Sequence, residues 1–392
     1  GQIVEGVKTY KTLQSAIDSI PDNNDEEVKV YVKPGIYKEK LVIKKPNVTL
    51  IGEDAKNTII TYDVAAGSLK PDGNAYGTSG SASVSIQYSA RNFSAVNITF
   101  ENSFDEKLNS HIKSTQAVAI KNESNNSAFY NCRFISNQDT LYANQNTTQY
   151  YYKCYIEGDV DYIFGSATAV FEECELFSVD REGIYPKGYI VAPSTEAGRL
   201  GYLILNSKLT SNVKDEGTVY LGRPWWATMA VKLNSSAVFR GCDMGAHISS
   251  KGWVSMSGVT PEENTLMEYN NTGAGAIVSE TRPQISDEDA DKYSREAYLG
   301  SFDADGRIAD LEKTVEGIKA DFKVEIALPE KVETPDDNEV EVPDNKDEVE
   351  NPEDKDDKED SKPIVTVKPA QSIFNKIFNA IKKIFEIIKG RI

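Results

Sequence analysis

The sequence predicts an all-β chain wound into a parallel β-solenoid, and three observations carry that prediction. A short unit recurs: FYNCRF (129–134), YYKCYI (151–156), FEECEL (171–176) and FRGCDM (239–244) each place an aromatic residue, two residues, Cys, one residue and an apolar side chain. The first three cysteines, Cys132, Cys154 and Cys174, are 22 and 20 residues apart. From about residue 28 onward, short runs alternate apolar with polar residues and break at Gly, Asn and Asp, which is the pattern of brief strands joined by tight turns. A unit of roughly 20 to 35 residues cannot bury its own apolar face, so it gains a core by stacking on its neighbours.

The elements follow in order. In YKTLQSAIDSI (10–20) the apolar residues Leu13, Ala16, Ile17 and Ile20 fall at helical spacing, and a helix there would cover the open end of the coil. FSAVNITF (93–100) and YLILNSKL (202–209) read as further units, with Ile98 and Ser207 in the cysteine position. Rungs of paired strands lie about 4.8 Å apart, so the cysteines stack inside the coil. Small side chains filling equivalent inward positions account for that stack better than a disulfide or redox pair. A second helical segment, with the acidic start SDEDADKY, is expected within 284–301, and the compact domain is expected to span 1–325.

Beyond it the composition changes. Residues 329–369 are rich in Pro, Glu, Asp, Lys and Val without aromatics, the signature of a disordered, self-repelling tether. Residues 371–392 place Ile373, Ile377, Ile381, Ile384 and Ile388 on one helical face, widened by Phe374, Phe378 and Phe385. A basic amphipathic helix on such an arm reads as a membrane-surface or protein-partner anchor; docking on its own domain or self-association is an equal alternative.

Charge excludes one class. The chain carries −18 in all; 330–362 hold 16 acidic residues against 5 Lys, and 372–392 hold 5 basic residues against Glu386, which leaves about −11 for the rest. Nucleic acid is not an expected partner, because phosphate binding needs a basic face. No run reaches the roughly 18 to 20 apolar residues of a membrane span. The chain opens on Gly1, as it would after removal of a leader, and a secreted or cell-surface location is expected.

Applied to polar residues, the repeat assembles a site. Gln116 and Gln138 are 22 residues apart, as are Asp139 and Asp161, in the register of Cys132 and Cys154. They should form two stacked pairs on consecutive rungs. Asp159 falls outside that register, with Asn137 as its rung-mate, and is expected to be a turn or solvent-facing residue. Two carboxylates one rung apart cannot both ionise cheaply in a half-buried site, so one becomes a candidate acid and the other a base or nucleophile. Adjacent amides are donors for an oxyanion, which suggests acyl transfer. Gln138 and Asp139 are neighbours, so both serve one site only if the strand bends there; Asn137 makes a bend plausible. In VYLGRPWWATMA (219–230), Arg223 sits between Gly222 and Pro224, where its fork could meet a carboxylate. Trp225 and Trp226, two of the chain's three tryptophans, offer flat faces for sugar rings.

GIYKE (35–39), QAVAI (116–120), QDTLY (138–142), DYIFG (161–165) and LGRPW (221–225) resemble, in order, the five motifs of the pectin methylesterase family. Ile120 stands where that family usually has Leu, and Tyr162 where many members have Phe. MGAHIS with GWVSM (244–256) and EYNNTGAGA (268–276) extend the likeness through most of 3–302. The resemblance implies a right-handed parallel β-helix and hydrolysis of the methyl esters of galacturonate in pectin (methyl-esterified homogalacturonan), without metal or other cofactor. Asp161 would attack the C6 carbonyl, held ionised by Arg223. Asp139 would protonate the departing methanol and then activate water. Gln116 and Gln138 would stabilise the oxyanion, and Tyr142, Val160, Phe164, Trp225, Thr228 and Met256 would line the sugar groove. The catalytic domain is expected to act as a monomer.

Rival chemistries fit less well. A serine esterase lacks GxSxG, with only His111 and His247 available as base, and His247 reads as structural. A polygalacturonase-like glycosidase should show a GHG-type histidine, and one rung is shorter than the roughly 6.5–9.5 Å of an inverting carboxylate pair, though it leaves a retaining pair open. A calcium-dependent lyase wants acidic ligands on the groove, and the acidic cluster lies in the tether. A noncatalytic pectin-binding module would have lost a member of the catalytic set, and all five are present.

Overall fold

The computed structural model describes residues 2–4, 7–228 and 230–321. The expected tether (329–369) and terminal helix (371–392) lie outside the described residues. After an antiparallel pair, Gln2–Val4 with Val7–Thr9, the chain climbs in coils that feed three parallel sheets of eight, seven and nine strands. The fold is a parallel β-helix. The seven-stranded sheet runs Leu41–Ile43, Val84–Ile86, Ile120–Asn122, Leu141–Ala143, Val160–Gly165, Gly188–Pro193, Val219–Gly222.

The repeated unit turns a corner at the residue before each cysteine or its substitute. Asn97, Asn131, Lys153, Glu173, Asn206 and Gly241 all take positive φ, between 48° and 65°. Asn and Gly adopt this left-handed region most cheaply, which is why they punctuate the repeat. The corner asparagines also join rung to rung: Asn131 Nδ2 donates to Asn97 Oδ1 at 2.7 Å.

Inside the corner, Cys132, Cys154, Cys174 and Cys242 are buried free thiols. Ser207 occupies the same column: its hydroxyl donates to the Phe171 carbonyl (3.2 Å) and accepts from the Cys174 N–H (3.0 Å). A second column, Phe129, Tyr151 and Phe171, stacks with ring centroids 4.9 and 4.6 Å apart. Each such pair contributes about 0.5–1.5 kcal/mol beyond its buried area.

Helices cover the start of the coil and one of its outer faces. The helix Leu13–Asp18 buries Leu13, Ala16 and Ile17, as the spacing predicts. Its free N–H groups at Leu13 and Gln14 donate to the Glu39 carboxylate at 3.0 and 3.2 Å, so the last residue of GIYKE anchors the cap to the first coil. Within 284–301 the helical segment is a 3₁₀ turn (Ala290–Tyr293) followed by the helix Arg295–Leu299. A further helix, Ala304–Asp321, is absent from the sequence reading. Its Ile308 and Leu311, with Tyr298 and Leu299, bury Val96, Ala128, Val170, Leu203 and Val238 on the outside of the nine-stranded sheet.

Candidate active site

The site lies on the outward face of the seven-stranded sheet. Asp139 follows the strand Arg133–Ile135 and has φ 65°, so the bend expected near Asn137 falls at Asp139 itself. Its N–H donates to the Val160 carbonyl at 3.0 Å, which sets it level with Asp161 on the next rung. Asp161 also has positive φ, 52°. There the pairing with the next strand shifts, from Val160↔Tyr189 to Ile163↔Val191, with one extra residue in the earlier strand. A bulge of this kind re-aims side chains: Tyr162 and Ile163 both enter the core while Asp161 turns out towards Arg223. Glycines bracket the manoeuvre. A Cβ at Gly158 would lie 2.3 Å from the Tyr162 Cβ, and one at Gly165 (φ 120°) 2.1 Å from the Ala143 carbonyl oxygen.

Arg223 grips Asp161 with both arms of its fork, Nε to Oδ1 at 2.9 Å and Nη2 to Oδ2 at 2.6 Å. Tyr189 supports the guanidinium, its ring centroid 3.9 Å from Cζ. Sequence reasoning missed Tyr189 because its coil is lengthened by the segment 179–187, which breaks the 22-residue count.

Asp139 and Asp161 are 8% and 5% exposed. Burial pushes the Asp139 carboxyl well above the usual range, and the charge of Asp161 pushes it further, against the opposing pull of Arg223 and the Gln138 amide. Burial also raises Asp161, and the hydrogen bonds and charge of Arg223 offset that rise only in part. The two carboxyls therefore separate, with Asp139 the one that keeps its proton to higher pH. Ala117 N–H donates to Gln138 O (3.0 Å) and Ala119 N–H to Thr140 O (2.9 Å); in a parallel pair the residue before each N–H donor faces the acceptor residue, so Gln116 faces Gln138 at an offset of 22 residues, on consecutive rungs. The offset slips to 21 at Ile120↔Leu141.

Beside the carboxylates, Tyr142 and Phe164 stack at 4.2 Å, and Trp225 tilts against them at 6.3 and 5.7 Å. Val118 and Ala192 pack into the same cluster, and Val160, next to Asp161, is buried. Trp226 goes elsewhere, its indole N–H donating to Asn264 Oδ1 at 3.1 Å. Thr228 is exposed in the same loop, and Met256 is half-buried in a turn closed by backbone bonds to Val259. His247 is buried, which pushes it down to about 4, so it is neutral at ordinary pH.

Asp159 corrects the sequence reading. It does sit at the junction between the strands Tyr155–Gly158 and Val160–Gly165, with its N–H on the Asn137 carbonyl at 3.1 Å, but it does not face solvent. Only 5% exposed, it accepts from the Val160 N–H at 2.6 Å and lies 3.6 Å from Arg181 Nε. Arg181 belongs to the same long coil segment that hid Tyr189, so neither contact is visible in the repeat.

Known proteins resemble this chain in sequence and fold. The Pectinesterase family model matches residues 3–301. Pectinesterase A of Dickeya chrysanthemi is 37% identical over 328 residues, covering 75% of this chain and 88% of that protein. The solved pectin methylesterase from Erwinia chrysanthemi superposes with a TM-score of 0.70 at 33% identity, over 76% of this chain and 96% of that one. A pectin methylesterase crystallised in complex with a hexasaccharide gives 0.71 at 34% identity, over 76% and 95%. On a family match over residues 3–301 and a relative 37% identical across 88% of its own length, this chain belongs to the pectinesterase family.

Proposed function

We propose that the protein hydrolyses the methyl esters of galacturonate units in pectin, releasing methanol, with Asp161 as nucleophile and Asp139 as acid and base. The observation that carries the assignment is the asymmetry of the pair. Asp161 is forked by Arg223, whereas burial and the neighbouring charge push the Asp139 carboxyl well above its usual range.

In this reading an Asp161 oxygen attacks the C6 carbonyl, and the Gln116 and Gln138 amides donate to the oxyanion. As the tetrahedral intermediate collapses, the C6–O bond to the methoxyl breaks and Asp139 gives that oxygen its proton, so methanol leaves and an acyl-enzyme anhydride remains. Asp139, now a carboxylate, takes a proton from water, whose oxygen attacks the same carbon. Collapse then frees Asp161 and the de-esterified unit, with Asp139 again protonated. Tyr142, Phe164 and Trp225, with Val160, Thr228 and Met256, form the floor and rim for the polymer. A relative solved with a hexasaccharide supports an oligosaccharide-sized groove.

The enzyme is proposed to act outside the cell or at its surface. Residues 1–325 would serve as a monomeric catalytic domain, 329–369 as tether, and 371–392 as anchor to a membrane surface or a protein partner. Binding of a 371–392 peptide to liposomes with and without anionic lipid tests the anchor; indifference to lipid leaves docking or self-association. The decisive assay is methanol release from highly methylated pectin by the native protein, Asp161→Ala and Asp139→Ala. Release surviving both substitutions defeats the mechanism, and shortening of the polymer without methanol would make the protein a depolymerase.

A further inference from the structure

Asp159 is a buried carboxylate that the mechanism above does not use, and its surroundings give it a task. Its main chain is fixed on both sides: its N–H donates to Asn137 O at 3.1 Å and its carbonyl accepts from Tyr189 N–H at 3.0 Å. Gly188 passes so close that a Cβ there would lie 2.1 Å from the Asp159 carbonyl oxygen. The side chain is therefore held in one place beside the catalytic rung.

Val160 stands between it and the Asp139 backbone. Val160 N–H donates to Asp159 Oδ1 at 2.6 Å, and the Val160 carbonyl accepts from Asp139 N–H at 3.0 Å. Compensation of the Asp159 charge is loose. Its ion pair to Arg181 is 3.6 Å long, against 2.6 and 2.9 Å for the fork on Asp161, and among the described residues Arg181 Nε is buried without a hydrogen-bond acceptor. The groups facing Asp159 are Arg181, Glu106 and Asp139; those facing Asp139 are Asp161, Arg223, Asp159 and Gln138.

We infer that Asp159 is a positioning residue whose negative charge adds to burial and to Asp161 in favouring protonated Asp139, and so extends turnover to higher pH. The inference rests on the reading of Asp139 as the acid. A like charge nearby disfavours ionisation, so an anionic Asp159 lets Asp139 remain a donor to higher pH. The influence is conditional. Burial, opposed by Arg181, pushes Asp159 itself up to about 6, so its charge acts on Asp139 above that pH and fades below it.

The test is the pH profile of kcat/KM for methanol release by the full chain. Asp159→Asn keeps an oxygen to accept from Val160 N–H and removes only the charge. It should move the alkaline limb down by about half a unit to one unit, with KM at the optimum unchanged. Arg181→Met leaves the burial of Asp159 unopposed, so Asp159 stays neutral to higher pH and the limb should move the same way. A merely structural Asp159 would alter the thermal midpoint and leave both limbs in place, so unmoved limbs in both variants overturn the inference. If Asp159→Asn does not fold, the Arg181→Met limb alone decides. Asp139→Asn run alongside separates the two levels: retained turnover there defeats the acid assignment, whereas a dead Asp139→Asn with unmoved limbs defeats only the role of Asp159.

Discussion

Arg223 and Asp161 meet as a two-pronged ion pair, at 2.9 and 2.6 Å, although their backbones lie 62 residues apart. The pair is geometric as well as electrostatic. It holds the plane of the carboxylate, and Tyr189 holds the plane of the guanidinium. Lysine supplies the charge but not the fork, so Arg223→Lys separates the two contributions. We expect a fall in kcat of about 100-fold, with the protein still folded, measured as methanol release beside a thermal melt. Activity within a few-fold of the native protein would show that orientation of Asp161 does not depend on Arg223.

Asp139 should destabilise the fold it serves. Its folded carboxyl is raised above the unfolded value by burial and by Asp161, so its favourable contribution is complete below the unfolded pKa and is lost as pH rises through the folded one. Asp139→Asn should therefore melt higher than the native protein at pH 7, by a few degrees (roughly 2–6 °C), while losing methanol release. The gain should vanish near pH 4. Melting curves at the two pH values check the sign, and a gain independent of pH would rule out titration of Asp139 as its source.

The coil and the 22-residue register of the two carboxylates were legible because near-constant spacing in sequence becomes adjacency in a solenoid. Tyr189, Arg181 and the burial of Asp159 were not legible, because the segment 179–187 stretches one coil and breaks the count that links rungs. The helix Ala304–Asp321 escaped for another reason. Its apolar positions Ile308, Leu311 and Val315 do fall at helical spacing, but they are diluted among charges that face solvent, next to an acidic stretch. Trp226 shows the limit of reading composition as function: two adjacent tryptophans looked like one sugar platform, yet only Trp225 joins Tyr142 and Phe164.

That division of the tryptophans makes a direct prediction. Trp225 is half-buried and packs on Phe164 at 5.7 Å, so Trp225→Ala should raise KM for pectin by about ten-fold, the equivalent of about 1.4 kcal/mol, with a smaller effect on kcat. Trp226→Phe, which loses the bond to Asn264, should act mainly on the thermal midpoint. Steady-state kinetics with melts on both variants distinguish the roles, and equal KM effects would place both rings at the substrate.

The cysteine column is expected to be chemically silent while the coil is intact. All four thiols are buried, and burial pushes Cys132 and Cys242 up to about 12, so thiolate is scarce as well as inaccessible. A thiol-specific chromogenic reagent should therefore report close to zero reactive groups in the native protein and all four in guanidinium. The chain itself indicates which replacement the column accepts, since Ser207 already stands in it with its hydroxyl satisfied by Phe171. The thiol of Cys174 reaches the Tyr151 carbonyl at 3.4 Å, an equivalent partner one rung back. Cys174→Ser should cost less than about 1.5 kcal/mol and leave methanol release unchanged, whereas Cys174→Asp would bury a carboxylate with no cation within the column and should prevent folding. Rapid native labelling of any cysteine, or equal tolerance of Ser and Asp at 174, would mean that the column is looser than the stacked rungs require.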